Sequence, residues 1–242
     1  RALQSGKHVL VEKPSTTRLT DTSALIEEAS WRDLALHENY MFQYHSQIKV
    51  IREMITSGEL GDIRTYKLSF GFPHRAANDF RYNKAMGGGA LLDCGGYPIK
   101  LASLLLGDSA KLVQSRLNYL PGCEVDLFGT AVMENENGIC AQISFGMDNA
   151  YQCQLEVWGS KITLIAPRVF TAGSDVAPQL ILRSSRDEKT VTLEKHDQFL
   201  HSIEQFEACV KDPNLRKMNM EGMQRQAGYI EAIRKMEETS CR

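Results

Sequence analysis

No apolar stretch in this 242-residue chain approaches the roughly 20 residues that a helical membrane span requires, so no membrane partner is expected. There is no excess of charge of either sign. Twenty-eight Lys and Arg stand against 30 Asp and Glu, a net charge of −2, which removes the basic field by which proteins collect nucleic acid. No two of the six cysteines (Cys94, Cys123, Cys140, Cys153, Cys209 and Cys241) stand in a C-x-x-C spacing. Without that spacing, neither a zinc site nor a redox dithiol is expected, but buried or free thiols in a reducing cytoplasm. The chain also lacks an initiator methionine. Ala2-Leu3-Gln4 reads as the last turn of a helix with Gly6 as its stop, so a preceding segment is expected.

What is present is ordinary globular material, 43% hydrophobic and 24% charged. His8-Val9-Leu10-Val11 is a short apolar run that predicts a buried parallel strand. Ser15 or Thr17 is placed to cap a helix running to about Trp31, and Asp33-Leu34-Ala35-Leu36-His37 reads as the next strand. Such β-α-β alternation indicates a doubly wound α/β sheet. A helix is expected from about Gln43 to Ser57 and a strand from Ile63 to Phe72. Residues 73–92 read as loop, followed by a helix over about 95–106 and a series of strands over 110–165, 179–184 and 189–194. Glu136-Asn137-Gly138 is a hairpin signal within that series. Two amphipathic helices, about 198–210 and 219–238, close the chain. The expected fold class is therefore α/β plus α+β. Residues 1–42 form part of a parallel sheet, and residues 43–242 a large, mostly antiparallel open sheet with helices on one face.

Two stretches carry chemistry. In Gly6-Lys7-His8-Val9-Leu10-Val11-Glu12-Lys13-Pro14, a lysine stands at the carboxyl end of a parallel strand, where α/β sheets bind ligands. A cis Lys13–Pro14 bond is expected there, aiming the lysine inward. In Gly87-Gly88-Gly89-Ala90-Leu91-Leu92-Asp93-Cys94-Gly95-Gly96-Tyr97-Pro98, the glycines permit close backbone approach, and Asp93 and Tyr97 fall four residues apart at a helix start. Either residue alone also suits a structural role, Asp93 as a cap and Tyr97 as a core aromatic. Together with Lys13 they are expected to converge on one cleft.

These two stretches, at this separation, resemble the signature motifs of the glucose–fructose oxidoreductase/inositol dehydrogenase/MocA family. The resemblance extends through Glu38-Asn39-Tyr40, Phe80-Arg81-Tyr82, the segment from Phe145 to Tyr151 and Trp158-Gly159-Ser160. It implies a Rossmann-type nucleotide-binding region followed by a substrate and oligomerisation domain, with NAD or NADP as cofactor. It also implies catalytic roles for Lys13, Asp93 and Tyr97, cofactor contacts from Glu12, Lys13, Pro14 and Arg81, and substrate contacts from Tyr40, Phe72 and Asp93. No metal is implied. A nearby Lys⁺ is expected to lower the pKa of Tyr97. The likeness is greatest to members that reduce keto groups on nucleotide-linked sugars; dihydrodiol or xylose dehydrogenase-like activity, or a non-catalytic assembly role, are the alternatives.

The G-x-G-x-x-G turn that cradles the pyrophosphate in that family does not occur in these residues. An N-terminal truncation is therefore expected, with no dinucleotide bound by this chain alone and doubtful activity. A homodimer or higher homo-oligomer is expected through the open sheet face. Strand 151–158 should place Tyr151, Cys153, Leu155 and Val157 on one face, and Gln152, Gln154, Glu156 and Trp158 on the other.

Overall fold

A computed structural model of the protein describes residues 1–76 and 78–240; Cys241 lies outside the described residues. Strands β1 (Val9–Glu12) and β2 (Leu36–Asn39) pair in parallel, Val9 opposite Leu36 and Glu12 opposite Asn39, and α1 (Leu19–Trp31) connects them. The helix starts later than its sequence suggests. Arg18 is its N-cap and makes no side-chain cap bond, because the candidate caps lie in a loop committed elsewhere. The Ser15 amide donates to Glu38 Oε1 at 2.7 Å, and the Thr17 carbonyl accepts from Arg234. β2 likewise starts three residues after Asp33. Asp33 takes a left-handed φ of 55° in the turn leaving α1, and Arg216 binds both its carboxylate and its carbonyl.

A 3-10 turn at Met41–Tyr44 takes the place of the expected start of α2, which runs Ser46–Thr56. The reason is local. Gln47 N donates to His45 Nδ1 at 3.1 Å and Ser46 N to His196 Nδ1 at 3.4 Å, so two imidazoles cap the helix. His196 in turn stacks on His201 with ring centroids 4.0 Å apart.

The large sheet comprises β3 (Ile63–Gly71), β4 (Lys111–Asn118), β5 (Phe128–Glu134), β6 (Cys140–Gly146), β7 (Gln152–Gly159), β8 (Thr163–Ala166), β9 (Gln179–Arg183) and β10 (Glu188–Thr192). Their order is β10-β9-β8-β7-β3-β6-β5-β4, antiparallel throughout except for the parallel pair β3–β6. The hairpin joining β5 to β6 turns at Gly138, with Asn135 Oδ1 accepting from the amides of Asn137 and Ile139. Helix α3 (Gly96–Leu106) packs on β3 and β6, and α4 (Gln198–Lys211) on the Met41–Tyr44 turn. Helix α5 (Pro213–Ser240) begins six residues before the expected start, because Pro213 suits a first helical position and Asp212 accepts from Asn214 N at 2.8 Å.

In β7, Cys153, Leu155 and Val157 are buried, while Trp158 on the opposite face is 51% exposed. Tyr151 departs from the expected apolar row. It precedes the strand, and its hydroxyl pairs with Thr171 Oγ1 at 2.8 Å. One core, including Leu68, Ile99, Leu101, Ile143 and Leu155, lies between the sheet and its helices, each large side chain contributing about 1.5–3 kcal/mol. A second packs Leu3, Ala29, Leu34 and Leu36 against Met220 and Met223 of α5. Through that contact α5 fastens the small parallel sheet to the rest.

The double imidazole cap predicts an acid sensitivity. Burial, assisted by the charges of His196 and His201, lowers the His45 pKa from 6.5 to about 4. The unfolded chain therefore binds the extra proton first, and this part of the stability, complete above about pH 6.5, is lost as the pH falls towards 4. His45→Asn keeps a capping acceptor without titrating. Thermal denaturation should show the midpoint of the parent protein falling by about 5 °C more than that of the variant over this range.

Candidate active site

Lys13 follows β1 directly, and the Lys13–Pro14 bond is cis, as expected. The turn is held from β2: Glu38 takes the Ser15 amide, and Asn39 Nδ2 donates to Glu12 Oε1 at 2.6 Å. Opposite this turn stands the glycine run. Gly87 and Gly89 have φ of 77° and 118°, conformations that side chains strongly disfavour. A Cβ on Gly88 would fall 2.3 Å from the Arg81 carbonyl oxygen. The chain then winds through a π-helical turn, Leu91–Gly95, into α3. The expectation was an ordinary α-helical start. The wider turn inserts one residue, a feature common at functional sites, and re-aims Asp93 relative to Tyr97.

The result is a chain of alternating charge. Lys13 Nζ donates to the Asp93 carbonyl at 2.6 Å and lies 3.2 Å from Asp93 Oδ1. Arg81 Nε reaches Asp93 Oδ2 at 2.7 Å, while Arg81 Nη1 lies 3.1 Å from Asp79 Oδ1. Asp93 is thus clamped between two cations, with its side chain 16% exposed. Lys13 Nζ also sits 4.8 Å from the centre of the Tyr97 ring, a cation–π contact. Lys13, Asp93 and Tyr97 therefore converge, with Arg81 joining them.

Tyr97 belongs to an aromatic wall. Its ring centre lies 5.1 Å from Phe70, 5.5 Å from Tyr40, 5.8 Å from Phe42 and 6.0 Å from Phe170. Burial raises its pKa well above the ordinary tyrosine value, and the Asp93 and Glu12 carboxylates raise it further. This reverses the expected lowering. Lys13 faces the ring, and its charge is already engaged by Asp93, so desolvation and the carboxylates prevail. Among the described residues, none hydrogen-bonds the Tyr97 hydroxyl.

The other expected site residues fall differently. Glu12 is exposed and pinned by Asn39, and Pro14 is part of the turn. Phe72 is half-buried, its ring 6.3 Å from that of Phe70 and with the Arg75 guanidinium 4.9 Å from its centre. Tyr40, expected to touch substrate, is 2% exposed and lies against Gly96, so it backs Tyr97 instead. Sequence reasoning missed Asp79 and Glu38. The first had a readable signal, since an aspartate two residues before Arg81 makes an Asx turn onto its amide, here at 3.0 Å. His74 is stacked on Tyr82 at 4.5 Å. No cluster of three His, Cys, Asp or Glu side chains suited to a metal occurs among the described residues.

Comparison with known proteins places this arrangement. Residues 48–165 match the model of the GFO/IDH/MocA C-terminal domain. The dTDP-3,4-didehydro-2,6-dideoxy-alpha-D-glucose 3-reductase of Actinomadura kijaniata is 37% identical over 234 residues, 97% of this chain and 70% of that protein. The crystal structure of KijD10, a 3-ketoreductase from that organism in complex with NADP and TDP-benzene, superposes with a TM-score of 0.93. It covers 98% of this chain and 73% of the other, at 37% identity. Structures of this reductase with one lysine or one tyrosine replaced match as well. D-xylose 1-dehydrogenase (NADP(+)) 2 of Haloferax volcanii is 26% identical over 99% of this chain and 74% of its own length. With a relative this similar along nearly its whole length, and the domain model matching its central part, the chain belongs to the GFO/IDH/MocA family of NAD(P)-dependent oxidoreductases.

Proposed function

We propose that the protein reduces a keto group on a nucleotide-linked sugar, with NADP(H) as the hydride carrier and with Lys13, Asp93 and Tyr97 as the reacting constellation. The observation that carries this reading is their convergence around a tyrosine whose acidity is suppressed. Two further facts support it. The 3-reductase is 37% identical and the xylose dehydrogenase 26%. The lysine and tyrosine replaced in the reductase variants are also separated along that chain by the same interval as Lys13 and Tyr97 here.

The residues present suit a nicotinamide dinucleotide. An ammonium has three N–H donors, and Asp93 engages two of those of Lys13, leaving one for a ribose or substrate oxygen. When bound, the dinucleotide supplies the hydride. Tyr97 donates a proton to the alkoxide oxygen that forms at the former carbonyl, since an alkoxide is far more basic than a tyrosinate. Lys13 stabilises negative charge on the same oxygen. Asp93 holds Lys13 and Arg81 in place, and the aromatic wall keeps water from the site. A tyrosine held protonated is in the form that reduction of a carbonyl requires. Glu12, Pro14 and Arg81 bind the dinucleotide in this reading, and Phe72 the substrate.

The test is consumption of NADPH with a dTDP-linked 3-keto sugar, set against NADP⁺ reduction with free xylose. Turnover of xylose alone would favour the dehydrogenase reading. Since the glycine turn is not encoded here, these 242 residues alone should bind NADPH at least about 100-fold more weakly than the intact Actinomadura reductase, measured by calorimetry. Homodimerisation through the open sheet face belongs to the same proposal. Trp158 projects there, 51% exposed, with Lys67 Nζ 5.3 Å from its ring, a combination suited to an interface. Trp158→Glu should convert a dimer to a monomer in light scattering. The free thiols of Cys94, Cys123, Cys140, Cys153 and Cys209 suit a cytoplasmic location, and no helix among the described residues is long and apolar enough to cross a membrane.

A further inference from the structure

The helix that carries Asp93 and Tyr97 starts without a cap of its own. Its entry residue is Gly89, which has no side chain to offer the first free amides. Those amides are met from another element, just ahead of β5. Ala90 N donates to the Asp126 carbonyl at 2.8 Å, and Leu91 N to Asp126 Oδ2 at 2.7 Å. Asp126 is 8% exposed, an unusual position for a carboxylate. Its second oxygen occupies the space a side chain at position 89 would need, since a Cβ there would lie 2.4 Å from Asp126 Oδ1. Gly89 is also a junction for the site. Its amide donates to the Arg81 carbonyl at 2.9 Å, and its carbonyl accepts from Asp93 N at 3.0 Å.

We infer that Asp126 is a positioning residue for the reaction. It is an N-cap supplied from the distant segment just ahead of β5 that fixes Gly89 and so sets where Arg81, Asp93 and Tyr97 stand relative to Lys13. It touches neither Lys13 nor Tyr97 and acts through the backbone of Gly89, Ala90 and Leu91. The wider π turn follows directly on this anchor, and Asp93 N bonds the Gly89 carbonyl, so what holds Gly89 also holds the register of Asp93. The glycine at position 89 and the aspartate at 126 are one device: the first clears the space that the second fills.

The inference rests on the reductase reading for its kinetic consequence but not for its structural one, and the two are measured separately. Asp126→Ala and Asp126→Asn are compared, the amide retaining an oxygen acceptor for Leu91 N. Amide hydrogen exchange of the 89–97 segment, read by mass spectrometry without substrate or cofactor, should quicken about tenfold in the alanine variant, and less in the asparagine variant. Elsewhere exchange should stay unchanged. In the NADPH-dependent assay, kcat per folded molecule should fall about 10- to 100-fold in Asp126→Ala, with KM for NADPH within about threefold of the parent value, and Asp126→Asn should recover most of the loss. Unaltered exchange in the 89–97 segment would overturn the capping role. Altered exchange with unchanged kcat per folded molecule would overturn the positioning role. An unmutated protein saturated with NADPH, as shown by titration, yet inactive towards every keto sugar would instead overturn the reductase reading and leave the exchange result standing.

Discussion

Tyr97→Phe is expected to lower kcat by about 10²- to 10⁴-fold, the usual range for losing a positioned general acid, while NADPH affinity stays within about threefold. The substitution is unusually clean in this setting. The ring is fixed on several sides by Tyr40, Phe42, Phe70 and Phe170, so phenylalanine occupies the same place. The contact of Lys13 is with the ring face, at 4.8 Å, and survives loss of the hydroxyl. Among the described residues none hydrogen-bonds the hydroxyl, so the variant orphans no partner there and stability should change by less than about 1 kcal/mol. Stopped-flow single turnovers, with cofactor binding measured by fluorescence, separate the two effects. A variant retaining more than about a tenth of the parent rate would remove Tyr97 from the proton-transfer role.

Asp93→Asn is expected to lower kcat/KM by about 10²- to 10³-fold and to shift the ionisation of Tyr97 downward. The carbonyl of residue 93 still accepts from Lys13, at 2.6 Å in the parent, so the lysine is not released altogether. What disappears is the anion between Lys13 and Arg81, leaving two cations facing an amide. After burial, the Asp93 charge is the largest cause of the raised Tyr97 pKa, so its removal makes the tyrosinate easier to form. The sign follows: the alkaline limb of kcat/KM, where a proton donor is lost, moves to lower pH in the variant. Ultraviolet difference titration, with Tyr97→Phe as the blank, reads the shift directly. An upward shift, or none, would mean that Asp93 does not govern Tyr97.

Much of this was legible in the chain. The apolar run at 8–11 ending in Glu12-Lys13-Pro14, and the glycines leading to Asp93 and Tyr97, mark a site because their residue types are poorly explained by packing alone. The alternation in β7 also predicted which face of the sheet is buried, with Cys153, Leu155 and Val157 inward. Element starts were less legible where their amides are satisfied by distant partners. Ser15 and Thr17 look like helix caps, but Glu38 and Arg234 claim that loop. The turn at Asp33 is set by Arg216, far along the chain.

The sequence by itself determined the alternation of strands and helices and the two reactive motifs, because hydrophobic period and glycine placement are local properties. Only the tertiary structure decided how those motifs act on each other. That Asp93 bridges two cations, that Tyr40 backs Tyr97 without facing the cleft, and that Asp126 caps the helix at Gly89 all depend on contacts between residues far apart in sequence. The direction of the Tyr97 shift depended on it too. A neighbouring lysine suggests a lowered pKa, but desolvation and carboxylate charge depend on the surrounding enclosure, which exists only once the sheet, the π turn and the parallel strands have assembled.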